Sequence, residues 1–311
     1  MTRRRRTAAL ATLAVVALGV AGAVLWSGVV GDRQAPGTTV GGTSTAAAPA
    51  ADSPTAVPTP SPETRPTPAP RPTPLGGEIT VLAASSLADV FAVLADSFEA
   101  ANPGVTVTIG LGPSSGLAAQ VAAGAPADVL ATASESTMAI ALGGLRAVGT
   151  PGIDDAEPVV FAQNTLAIAV PTTNPGEVTS IEDLARRDVT FAMCQVQVPC
   201  GSVARDVLAA AGIDRDPVTL EQDVGGVLTK VILSEVDAGL VYASDVRPTS
   251  LAVLDGEIHG IEIPARLNTT TDYPIVVLPA AAQDPVARAF VDHVLSPRGT
   301  RALRDAGFVI P

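Results

Sequence analysis

Across residues 78–311, short apolar runs rich in β-branched residues alternate with stretches whose apolar residues recur at helical spacing. Strands are expected at 79–82, 105–109, 129–131, 166–170, 189–192, 238–241 and 275–278, and helices at 87–100, 117–123, 202–211, 225–234 and 285–295. This alternation predicts an α/β fold with largely parallel sheets. In such sheets a ligand sits where strand ends meet helix starts.

Four of those junctions share a chemistry. In "VLAASSLADVF" a strand runs into Ser85 and Ser86, and then into a helix. In "TIGLGPSSGLAAQ", Ser114, Ser115 and Gly116 lead from strand to helix. "VQVPCGSVARD" carries a Pro-Cys-Gly turn, and in "EQDVGGVLTKV" Asp223 and Val224 precede a helix, with Tyr242 ending the next strand. Each junction alone reads as a helix cap, because a serine or aspartate satisfies the orphan amides there. Together, the same amides and the positive ends of the helix dipoles suit a single anion site.

Composition narrows the partners. Residues 78–311 hold 12 Lys and Arg against 28 Asp and Glu, a balance of −16. That charge argues against nucleic acid and against an anionic membrane surface. A small anion stays admissible, since local amides outweigh a distant, screened surface charge. The two cysteines, Cys194 and Cys200 in "MCQVQVPCG", permit a disulfide closing a short loop. With only two histidines in the chain, a structural zinc site is not expected.

The N-terminal quarter is of another kind. A basic cluster at 3–6 precedes 24 uncharged residues at 7–30. That run is long enough to cross a bilayer, where about 20 residues suffice. Residues 1–34 are therefore expected to form a membrane anchor, basic end inward, with a signal segment cleaved near Ala35 as the alternative. No cysteine follows the apolar run for acylation. Residues 35–77 form a Pro/Thr/Ala-rich linker, with 11 of the 27 prolines, expected to act as an extended tether.

Gly112-Pro113-Ser114-Ser115-Gly116 also satisfies the pattern of a hydrolase nucleophile elbow. Such an enzyme would need His259 or His293 as its base. Pro113 removes an amide and fixes the backbone before the serine, which suits a turn better than an elbow. His259 is expected in a turn, and His293 on the boundary of an amphipathic helix.

The segments "ITVLAASSLADVFAVLADSFEAANPGV", "SSGLAAQVAAGAPADVLATAS", "VPCGSVARDVLAAAGI" and "EQDVGGVLTKVILSEVDAGLVYASDV" resemble, in order, the molybdate-binding component of ABC importers, a family of periplasmic binding proteins. The resemblance implies a two-lobed type II fold, with mixed sheets, flanking helices and a ligand cleft between the lobes. Lobe one would comprise about 78–163 and 271–311, and lobe two about 164–270. It implies no enzyme and no cofactor, but capture of molybdate or tungstate, with sulfate or phosphate as alternatives. Ser86 and Ser114 would bind the oxyanion through hydroxyl and amide, Cys200 and Val224 through their amides, and Tyr242 through its phenol. Cys194, six positions before Cys200, would brace that loop by a disulfide. The implied partners are the permease and ATPase subunits of an importer, with the chain itself a monomer.

Overall fold

A computed structural model describes residues 74–311. The described residues open with β1 (Gly76–Ala84), α1 (Ala88–Ala101), β2 (Gly104–Gly112), α2 (Ser114–Ala122), β3 (Val129–Ala131), α3 (Glu135–Ala147) and β4 (Val159–Asn164). It continues through β5 (Leu166–Pro171), β6 (Phe191–Cys194), α4 (Pro199–Ala210), β7 (Thr219–Glu221), α5 (Val224–Ile232), β8 (Ala238–Tyr242), α6 (Leu251–Leu254) and β9 (Ile258–Glu262). It ends with β10 (Thr271–Val277), α7 (Pro285–Leu295) and α8 (Pro297–Asp305).

These strands form two five-stranded sheets, ordered β2-β1-β3-β10-β4 and β7-β6-β8-β5-β9. The sheets are mixed rather than largely parallel. β10 runs antiparallel to β3 and β4, and β5 runs antiparallel to β8 and β9. Both reversed strands follow directly after the chain changes sheets, β5 after the single residue Thr165 and β10 after 263–270. A strand arriving from the other sheet has no helical crossover on its own sheet to impose parallel direction.

The apolar alternation of β1 accounts for the layering of the first sheet. Ile79 and Val81 pack in the cluster of Phe91, Phe98 and Phe290, under α1 and α7. Leu82 points the other way, into the cluster of Leu117, Leu130, Met138 and Leu142 under α2 and α3. Successive strand residues facing opposite layers thus bury both faces of the sheet. In the second sheet β5, β6 and β8 are buried throughout, which their continuous apolar sequences require.

No helix among the described residues is long and apolar enough to cross a membrane. The anchor and most of the linker expected from the sequence lie outside the described residues.

Candidate ligand-binding cleft

Three of the four helix starts singled out above lack a side-chain cap. At α1 the cap position is Leu87, at α2 Pro113 and at α4 Val198, and none offers a capping hydrogen bond. The first N–H groups of a helix find no acceptor within it; here the Ala88 amide of α1 and the Gly201 amide of α4 turn back to the Ser85 and Val198 carbonyls. α5 differs: Asp223 caps it, accepting from the Gly226 amide at 2.9 Å.

Both serine hydroxyls already have a partner within the protein. Ser114 is buried, and its Oγ accepts the Ala133 amide at 3.0 Å. Its own O–H remains available as a donor. Ser86 Oγ shares a hydrogen bond of 2.9 Å with the Tyr273 hydroxyl. Tyr273 went unnoticed in the sequence, where "DYPIVV" reads only as a strand.

Tyr242 ends β8 almost completely buried, and its hydroxyl has no hydrogen-bond partner among the described residues. Burial, with Tyr273 and Asp245 beside it, pushes its ionisation well above the usual phenol range, so it stays a neutral donor. An unmatched buried hydroxyl costs about 1–3 kcal/mol. An acceptor oxygen delivered by a ligand would remove that cost.

Ser86, Ser114, Cys200, Val224 and Tyr242 all line one cavity of about 20 Å3, together with Ser85 and Asp223. That exceeds the volume one water needs by little, and falls far short of the several hundred Å3 of an organic-ligand pocket. No Lys, Arg or His lines it. Several amide and hydroxyl donors converging without a cation fit a small, fully desolvated oxyanion.

The loop bearing Cys200 is held tightly. Cys194 and Cys200 form a disulfide, with Cα atoms 5.7 Å apart, and both residues are buried. Gly201 lies against the Gln195 carbonyl, where any Cβ would collide. The first turn of α4 is therefore pinned from two sides.

Beside this cavity lies a larger one of about 250 Å3, lined by Ser85, Asp89, Ser244 and Asp245 among others. Burial pushes the Asp245 carboxyl up to about 8, against the pull of the Tyr242 amide that donates to it at 2.8 Å. The negative charges of Asp89 and Asp223 raise it further.

The hydrolase alternative has no support. Ser114 has no histidine among its hydrogen-bond partners, and none lines its cavity. His293 Nε2 is bonded instead to Ser97 Oγ at 2.7 Å. His259 lies in strand β9, with its side chain exposed, and not in a turn. The Ile258 neighbour points inward, so strand alternation turns His259 out.

Two lobes built on mixed sheets, meeting at a small cavity of helix starts, define a solute-binding protein of type II architecture. The chain belongs to the bacterial extracellular solute-binding protein family, whose sequence profile matches residues 79–309. Over 233 residues it is 38% identical to the molybdate-binding protein ModA of Mycobacterium tuberculosis, covering 75% of this chain and 85% of that one. Among solved structures, the periplasmic molybdate-binding protein of Azotobacter vinelandii superimposes with a TM-score of 0.63 at 20% identity. That match covers 75% of this chain and 99% of the other. The sulfate-binding protein SubI of M. tuberculosis superimposes with a TM-score of 0.62 at 18% identity, over 75% of this chain and 86% of its own. Members of this family bind solutes and do not catalyse.

Proposed function

We propose that this protein captures molybdate or tungstate outside the cytoplasm and delivers it to the permease and ATPase subunits of an ABC importer. The observation that carries the reading is the single cavity shared by Ser86, Ser114, Cys200, Val224 and Tyr242. In this reading Ser86 and Ser114 donate through hydroxyl and amide, Cys200 and Val224 through amides, and Tyr242 through its otherwise unmatched hydroxyl. The 38% identity to a molybdate-binding relative supports the choice of anion.

The binding domain spans 78–311, with lobe one at about 78–163 and 271–311 and lobe two at about 164–270. The division of strands between the two sheets supports those limits. Residues 1–34 anchor the chain to the membrane, residues 35–77 tether the domain, and the protein acts as a monomer. Calorimetric titration with molybdate, tungstate, sulfate and phosphate tests the assignment. Molybdate and tungstate bind far more tightly than the other two; equal affinity for sulfate would make this a general oxyanion binder.

A further inference from the structure

The wall of the small cavity contains a contact that the anion donors do not use. Ser85 Oγ donates to Asp223 Oδ2 at 2.6 Å. Ser85 follows β1 of the first sheet, while Asp223 begins α5 above the second, so the bond crosses the cleft. Each partner also immediately precedes a proposed anion donor, Ser86 in one lobe and Val224 in the other.

Other polar contacts join the lobes. Thr249 Oγ1 donates to the Asp305 carbonyl at 3.1 Å, and the Leu251 amide to Asp89 at 3.4 Å. The Ser85–Asp223 bond is shorter than these, and both of its partners line the small cavity.

A carboxylate is an odd choice for that wall. It repels a dianion in a desolvated cleft, and a neutral asparagine or serine would cap α5 as well. What the charge adds is a stronger hydrogen bond to the opposite lobe, since a bond to an ionised acceptor is about twice a neutral one. Asp223 makes that bond while its Oδ1 fixes the first turn of α5 through the Gly226 amide.

We propose that Ser85 and Asp223 form an interlobe latch, a positioning pair that holds the cleft shut and seats the Val224 amide, and so sets how long the bound anion stays. The inference rests on the oxyanion reading for its kinetic effect, but lobe closure can be read without a ligand.

The test uses the full chain, its Ser85→Ala and Asp223→Asn variants, and the double variant. Release of bound molybdate is followed after a chase with excess tungstate. Ser85→Ala should release about tenfold faster with little change in association rate, the consequence of losing one hydrogen bond to a charged group. Asp223→Asn keeps the α5 cap and removes a repelling charge, so repulsion alone would slow release; the latch requires it to be faster. The double variant should be no faster than the more damaged single, because the two residues act as one unit. Wild-type release from Ser85→Ala, or slower release from Asp223→Asn, would overturn the latch. In parallel, spin labels at exposed Ile140 and Val218, one in each lobe, report cleft width without ligand. Ser85→Ala should shift the distance distribution towards longer separations, and an unchanged distribution would refute the latch even if no anion binds. Absence of binding to the wild type, with the shift present, would instead refute the oxyanion reading alone.

Discussion

The rings of Tyr242 and Tyr273 meet edge to face, centroids 5.9 Å apart at 70°, and bring together one tyrosine from each sheet. Their hydroxyls have different fates. Tyr273 is bonded to Ser86 Oγ, whereas the Tyr242 hydroxyl has no partner among the described residues.

Tyr242→Phe should therefore separate binding from stability. It removes an unmatched hydroxyl from the ligand-free protein, so the thermal midpoint should hold or rise. Molybdate affinity should fall by about 1.5–3 kcal/mol, the usual worth of a hydrogen bond to a charged group. Calorimetry and thermal denaturation on the same sample check both halves.

Ser86→Ala and Ser114→Ala should each weaken molybdate binding by a similar ~1.5–3 kcal/mol. Ser114→Ala should also lower stability, because it leaves the Ala133 amide without its acceptor. Two variants that bind like the wild type would reduce these residues to helix-start punctuation.

Removing the disulfide should act on folding more than on the anion. Replacing Cys194 and Cys200 by alanine leaves the backbone amide of residue 200 in place. Chain-entropy reasoning puts the stability loss for so short a loop at about 2–2.5 kcal/mol. Chemical denaturation measures it, and a thiol assay on the unreduced protein should find no free thiol.

Asp245 predicts a pH dependence with a definite sign. Its carboxyl is pushed up to about 8 in the folded protein, so the native state holds a proton that the unfolded chain releases near pH 4. That contribution is present at low pH and is lost as pH rises through 8. The fall between pH 7 and 9 should be of order 1 kcal/mol. His293, lowered by burial, titrates below this window, as do Asp183 and Asp188, lowered by hydrogen bonds. Asp245→Asn should flatten the curve in denaturant titrations at the two pH values.

Much of this was legible in the sequence where a local pattern carried the signal. The buried strands β5 and β8 are continuous apolar runs, and each proposed anion donor lies at a strand-end or helix-start motif. α3 was missed because Gly143 and Gly144 weaken its helical pattern. Its Gly144 is explained only by packing, since it lies against Ala122 of α2 with no room for a Cβ. Tyr273 and the Ser85–Asp223 bond were illegible for a related reason. Their partners lie 187 and 138 residues away, and no local spacing encodes such a meeting. The aspartate before "VGG" did signal a cap, but not the second bond that its other oxygen makes.

Anomalous diffraction above the molybdenum edge, on crystals grown with molybdate, tests the central claim most directly. The account predicts one strong anomalous peak inside the small cavity, within hydrogen-bonding reach of Ser86, Ser114, Tyr242 and the amides of Cys200 and Val224, with no basic side chain in contact. A peak held elsewhere by Lys or Arg, or an empty cavity at saturating molybdate, would contradict it.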